Sequence, residues 1–176
     1  MEILITYGLP LLIANVVHHA IVIPRNLFPS LAIPIDVGTR FAGAPLFGTK
    51  KTVRGLLTVA FLTALLAPHF ALLFAGDSGR FLLSGLIVGC AYMLGELPNS
   101  FLKRRIGINE GVSETGSRGS VFMVIDHTDS VLAATLAIYF LEGASSEHLF
   151  AFFFVGTVAH VCVNILIRRF RKTTTP

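Results

Sequence analysis

Five apolar stretches, each close to twenty residues long, decide what this chain of 176 residues can fold into. They run at about 4–23, 56–75, 81–97, 121–141 and 149–167. A helix rises about 1.5 Å per residue, so roughly 20 residues cross the hydrocarbon core of a bilayer. A transmembrane strand needs only about 10 residues and alternates its faces. These stretches are longer and apolar all round, so each is expected to be a helix. Charged residues make up 14% of the chain, against about 25% in a soluble domain. The chain therefore reads as an all-α integral membrane protein with about five transmembrane helices and one membrane domain over residues 1–176.

The first stretch is not expected to be a cleaved leader. Its flank carries Glu2 and no basic residue, and it contains Pro10, Asn15, His18 and His19. No small-residue cleavage site follows. The two cysteines, Cys90 and Cys162, lie far apart inside spans and have no redox or metal spacing, so they read as small apolar residues.

The basic residues set an orientation. Arg25, Arg40, Lys50, Lys51 and Arg54 follow the first span. Lys103, Arg104, Arg105 and Arg118 follow the third, and Arg168, Arg169, Arg171 and Lys172 follow the fifth. Arg80 stands alone after the second. With five spans, every basic residue except Arg80 falls on one side. The positive-inside rule makes that side cytoplasmic, with the N-terminus outside and the C-terminus in the cytoplasm. One span more or fewer would scramble the pattern. The cytoplasmic loops, at about 24–55 and 98–120, are long, and long loops in a compact domain are commonly functional.

The first loop is punctuated by Pro24, Pro29, Pro34 and Pro45 and by Gly38, Gly43, Gly48 and Gly55, which argues against a long helix. It closes on Gly48-Thr49-Lys50-Lys51-Thr52-Val53-Arg54-Gly55 at the start of the second span. Glycine admits an anion close to the backbone, Lys and Arg supply charge, Thr52 supplies a hydroxyl, and a helix N-terminus follows. The spacing is not that of a P-loop. Two uses fit: a phosphate cradle, or a basic patch on lipid headgroups.

The costliest residues are Asp126 and Asp129, at the front of the fourth span. A charge at membrane depth costs roughly 2.5–3.5 kcal/mol on insertion scales. The i, i+3 spacing puts both carboxylates on one helical face, where they can share a hard cation. The alternative is a structural ion pair with Lys103 or Arg118. His127 is expected to face another way. Upstream, Gly95-Glu96-Leu97-Pro98-Asn99-Ser100-Phe101-Leu102-Lys103-Arg104-Arg105 brings a third carboxylate and three cations to the same boundary, ahead of a stretch rich in Gly and Ser (Gly107, Gly111, Ser113, Gly116, Ser117, Gly119). Acids beside cations suit a metal–polyphosphate complex. Asn15, His18, His19, His160 and Asn164 read as interhelical hydrogen-bonding residues.

In these segments the chain resembles the CDP-archaeol synthase family, which is similar to the wider group of phosphatidate cytidylyltransferases. The likeness rests on Pro34-Ile35-Asp36 leading to Lys51-Thr52-Val53-Arg54-Gly55, on Ser100-Phe101-Leu102-Lys103-Arg104-Arg105 after a Gly-acidic pair, and on Asp126-x-x-Asp129. His160 followed by Asn164 is a weaker fourth element. Thr49 and Lys50 stand where the family has Asp and Gly, Glu96 where it has Asp, and His127-Thr128 where it has Gln-Leu.

The resemblance implies cytidylyl transfer from CTP to a membrane lipid phosphate, giving a CDP-lipid and pyrophosphate, with Mg²⁺ as cofactor. Asp126, Asp129, Lys103 and Arg104 are the expected catalytic residues. Lys51, Thr52, Arg54 and Ser100 are expected to bind phosphate. Mg²⁺ is expected on Asp126 and Asp129, with Glu96 as a third carboxylate. The expected partners are CTP, the lipid phosphate (an archaeal diether phosphate or phosphatidic acid) and the bilayer, with a homo-oligomer allowed and no nucleic acid. Two other classes stay open. A small cation transporter or channel should carry polar groups through the full bilayer depth, and a non-catalytic relative would keep the fold without binding nucleotide.

Overall fold

The computed structural model describes residues 1–74, 79–110 and 116–174, without the side chains of 117, 118, 168 and 170–174. Among these residues, five helices are long and apolar enough to cross a membrane. Helix α1 (Leu4–Val22) is α-helical in its middle and π-helical at both ends. It is followed by α2 (Val53–Ala71), α3 (Gly79–Leu94), α4 (Glu96–Arg105), α5 (Gly116–Glu142) and α6 (Ser146–Thr174). Parts of three expectations lie outside the described residues: the turn at 75–78, the Gly/Ser stretch at 111–115, and the side chains of Arg118, Arg168, Arg171 and Lys172.

The expected second cytoplasmic loop begins too early at 98. The chain stays helical to Arg105, because α4 continues α3 after a single break at Gly95. Pro98 does not stop it. As the third residue of α4, it lies in the first turn, where a helix has no acceptor for its N–H.

The core is built from Tyr7, Leu11 and Ala14 of α1, Val59, Ala67 and Ala71 of α2, Phe81, Val88 and Tyr92 of α3, Val131, Ala134 and Ile138 of α5, and Phe152 of α6. Lipid gives apolar helices no hydrophobic reason to associate, so close backbone approach through small residues must hold them. The α2–α3 pair does this. A Cβ on Gly85 would stand 2.8 Å from the Ala67 Cβ, and one on Gly89 would stand 2.8 Å from the Ala60 Cα. Gly95 serves the same purpose beside the acid pair. A Cβ there would meet Ala133 Cβ at 2.6 Å and the Asp129 carbonyl at 2.9 Å, so its absence seats the α3–α4 junction against α5. Phe150, Phe154, Val155 and Val158 of α6 stay exposed, as suits a lipid-facing helix.

The first loop is folded back on its own base. Ile35 N–H donates to the Lys51 carbonyl at 2.7 Å and Val53 N–H to the Ile33 carbonyl at 3.0 Å. Between these ties lies a short antiparallel hairpin, β1 (Arg40–Phe41) with β2 (Ala44–Pro45), an addition to the all-helical expectation. Asp36 organises the loop. Its carboxylate accepts the backbone N–H groups of Gly38 (3.0 Å), Phe47 (2.9 Å) and Gly48 (3.2 Å). Burial alone would raise the Asp36 carboxyl, but these donors outweigh it and hold it below its ordinary value. Arg105 ties the hairpin to α4 by donating to the carbonyls of Phe41, Ala44 and Pro45 and by lying over the Phe41 and Phe101 rings.

Candidate active site

The basic first loop and the acid pair are far apart in sequence, and the fold brings them to one cavity of about 1430 Å³. All nine residues singled out by sequence line it: Lys51, Thr52, Arg54, Glu96, Ser100, Lys103, Arg104, Asp126 and Asp129. The volume exceeds the roughly 300–1,000 Å³ of a single small-molecule pocket, so it has room for a nucleotide beside a lipid headgroup.

Helix α4 presents Glu96, Asn99 and Lys103 at i, i+3 and i+7, one face by helical periodicity. That face meets Asp126, Asp129 and Ser130 of α5. The Asn99 amide donates to Asp126 Oδ1 at 2.6 Å and to Asp129 Oδ2 at 3.0 Å, so one side chain spans both carboxylates. Lys103 donates to both oxygens of Asp126, at 2.6 Å to Oδ2. Among the described residues, the ion pair foreseen for the acids is made by Lys103, and through Asp126. Asp129 instead accepts the Ser130 N–H at 2.7 Å.

Glu96 is engaged elsewhere. Lys51 donates to its Oε2, and the Ser130 hydroxyl donates to its Oε1 at 3.1 Å. Among the described residues no three His, Cys, Asp or Glu side chains converge as a metal-holding group. Glu96 thus ties the first loop to α4 through Lys51, and among the described residues the expected three-carboxylate cluster does not assemble.

The other cations divide by task. Arg54 donates to Asn26 Oδ1 at 2.9 Å and to the Leu27 carbonyl at 3.2 Å, and Arg104 donates to the Ile108 carbonyl. Each keeps a buried Nε with no hydrogen-bond partner among the described residues. Thr52 caps α2, its hydroxyl accepting the Gly55 N–H at 3.2 Å, which leaves the hydroxyl hydrogen for another acceptor. Ser100 is buried on α4 beside Asn99.

Sequence reasoning missed three features. Asn99 gave no signal beyond its place in the Asn99-Ser100-Phe101 step. Glu110 accepts both the Thr49 N–H and the Thr49 hydroxyl (2.8 Å to the latter), joining the two loops across the cavity mouth. His127 does not turn away: it lines the cavity, its ring edge-on to His160 with centroids 6.1 Å apart. One helical step is about 100°, and a cavity this wide spans more than one step. Of the polar groups in the first and last spans, Asn15 and His160 pair across helices as expected, both at Tyr92 of α3, while Asn164 reaches His160 within α6. Tyr92 hydroxyl meets His160 Nδ1 at 2.6 Å, Asn15 donates to that hydroxyl at 3.4 Å, and Asn164 sits 2.8 Å from His160 Nε2.

The residues present fit a hard divalent cation. The acids supply carboxylate oxygens, held together at one amide. The buried Oδ1 of that amide finds no hydrogen-bond partner among the described residues.

A family model described as CarS-like, CDP-archaeol synthase, matches residues 3–173. The chain is similar to a CDP-archaeol synthase of Pyrobaculum arsenaticum, with 31% identity over 75% of this chain and 74% of the relative. It is similar to that of Sulfurisphaera tokodaii at 28% identity over 98% and 93%, and to that of Hyperthermus butylicus at 32% over 60% and 58%. No solved structure matches it with significance. The family model spans the whole helical bundle, including both loops and the acid pair, and the chain belongs to the CDP-archaeol synthase family.

Proposed function

We propose that the protein transfers a cytidylyl group from CTP to a membrane lipid phosphate, at the loop end of the helical bundle. The observation that carries this reading is the convergence of Lys51, Arg54, Lys103 and Arg104 with Asp126 and Asp129 on one cavity. A phosphate oxygen of the lipid attacks the α-phosphorus of CTP. A new P–O bond forms, the α–β anhydride bond breaks, and pyrophosphate leaves. The nucleophile is already an anion, so no strong general base is needed. Positioning and charge stabilisation carry such a reaction.

Lys51 approaches from the first loop, Arg54 from the first turn of α2, and Lys103 and Arg104 from α4. The Lys103 ammonium has three donors, and its contacts to Asp126 leave capacity for a phosphate oxygen. Thr52 and Ser100 add hydroxyl donors. Asp126 and Asp129 would hold Mg²⁺, which supplies neutralisation of phosphate charge. The basic residues of both loops support a cytoplasmic site by the positive-inside rule, and CTP is met on that side. The lipid tails stay in the bilayer.

The test uses protein purified in detergent with CTP, Mg²⁺ and either an unsaturated archaeal diether phosphate or phosphatidic acid. Formation of a CDP-lipid is expected, with the preferred acceptor identifying the lipid. Absence of product with every such acceptor ends the reading. Asp129→Asn is expected to lower turnover by at least about 100-fold, and unchanged turnover would remove the metal assignment.

A further inference from the structure

We propose that Asn99 is itself a ligand of the divalent cation, its side-chain Oδ1 joining one oxygen each from Asp126 and Asp129. The inference rests on the reading that the acid pair holds the metal, and it names a third oxygen that no carboxylate provides. Glu96 is taken up by Lys51 and Ser130, and no trio of His, Cys, Asp or Glu side chains converges among the described residues. A small hard cation prefers oxygen, and a neutral amide oxygen is an ordinary member of such ligand sets.

Three observations place Asn99 in that role. Its amide reaches both aspartates, at 2.6 and 3.0 Å, so the head group occupies the point where their oxygens converge. The residue is only 8% exposed, and its Oδ1 has no hydrogen-bond partner among the described residues. A buried acceptor left unmade is costly, commonly about 1–3 kcal/mol, and calls for an explanation. Finally, the two ends of the amide are nearly alike in shape, so a half-turn about its last bond exchanges NH₂ for oxygen. With NH₂ inward, the amide bridges two like charges without a metal. With oxygen inward, it completes an all-oxygen site. The two carboxylates supply the negative charge toward a divalent cation, with Lys103 beside Asp126, and the amide adds an oxygen without adding charge.

The experiment is a Mn²⁺ titration of the detergent-purified protein without CTP or lipid, following free Mn²⁺ by electron paramagnetic resonance. Asn99→Ala is expected to weaken binding about 10- to 100-fold. Asn99→Asp is expected to bind at least as tightly as the parent, because it supplies an anionic oxygen at the same place. Its melting temperature should be lowered without metal and should rise more than the parent's when Mn²⁺ is added.

A purely structural bridge predicts the opposite for Asn99→Asp. That variant cannot donate, and it adds a third negative charge to the pair. Binding by Asn99→Asp as weak as by Asn99→Ala would overturn the proposal. So would unchanged binding by Asn99→Ala, or no Mn²⁺ binding by the parent at millimolar metal. CDP-lipid synthesis is measured separately. If the parent makes product while both variants bind Mn²⁺ equally poorly, the transferase reading stands and the Asn99 ligand falls. If Asn99→Asp outbinds Asn99→Ala but the parent makes no product, the reverse holds.

Discussion

Each end of the helical bundle carries a cluster of charged and hydroxyl groups, and the two clusters are built differently. At the end away from the loops, Tyr7 donates to Glu142, Arg80 pairs with the other Glu142 oxygen at 3.1 Å, and the Tyr7 hydroxyl lies 2.9 Å from Ser84. Those groups satisfy one another, and the cluster fastens α1, α3 and α5 together. At the loop end, the acids and cations surround about 1430 Å³ of space. Among the described residues, seven buried side-chain atoms find no partner, and five of them belong to residues lining that space: His18, Arg54, Asn99, Arg104 and Thr157. Burying an unpaired polar group is unfavourable. A surplus of such groups around a cavity is therefore a mark of a ligand site, and a closed cluster is a mark of a fastening.

The contrast can be broken by mutation. The largest effect is expected for Lys51→Met. It should lower cytidylyl transfer by about 100-fold or more and leave Glu96 partly buried without its cation, at a cost of about 1–3 kcal/mol. Adding Glu96→Gln should restore the melting temperature and not the activity. Recovery of both would make the loop-end pair a fastening like its counterpart.

Next comes Gly95→Ala. Its Cβ has no room against Ala133 and the Asp129 carbonyl, so α4 must move off α5, at about 1–3 kcal/mol. Turnover should fall about tenfold even with saturating CTP, since a small misplacement of catalytic groups is expensive. Full activity in this variant would mean that the acid pair does not need the close seat.

Tyr7→Phe at the opposite end should cost about 0.5–1.5 kcal/mol, the net value of a hydrogen bond. Activity should stay within about twofold. A large loss of turnover at an unchanged melting temperature would show that both ends take part in the reaction.

The smallest effect is expected from Asp36→Asn, and it depends on pH. The Asp36 carboxyl titrates lower in the folded protein than in the unfolded chain. Its contribution is thus complete above the unfolded value, near 4, and is lost as pH falls through the lower folded value. Asp36→Asn should be less stable than the parent at neutral pH, and the gap should close on acidification below about pH 4. A gap that persists unchanged in acid would show that charge has no part in holding the loop.

The five helices were legible because lipid imposes length and apolarity on each span separately, without reference to its neighbours. The loop expected from 98 starts later because the helix resumes at Glu96, and Pro98 falls in its first turn, where a proline is tolerated. The sequence did bring the candidates to one place: Asp126, Asp129, Lys51, Arg54, Lys103 and Arg104 all line the cavity, while Arg105 turns to the hairpin. Their pairings were not legible. Lys103 could have met either acid, and Glu96 could have faced the acids or Lys51. Residues within one helix have their relation set by a repeat of 3.6 per turn. Residues on different helices have it set by packing, here by the absent side chains of Gly85, Gly89 and Gly95.

By itself, then, the sequence determined that the chain has five helices long and apolar enough to cross a membrane, that its cations cluster after the first, third and fifth of them and that two carboxylates share one helical face. Each of these follows from local composition or from spacing along one element. Only the tertiary structure decided that Glu96 goes to Lys51, that Asp36 ties down a loop and that Asn99 bridges the acid pair. Those outcomes depend on which helices touch and at what rotation, and shape settles that among residues distant in the chain.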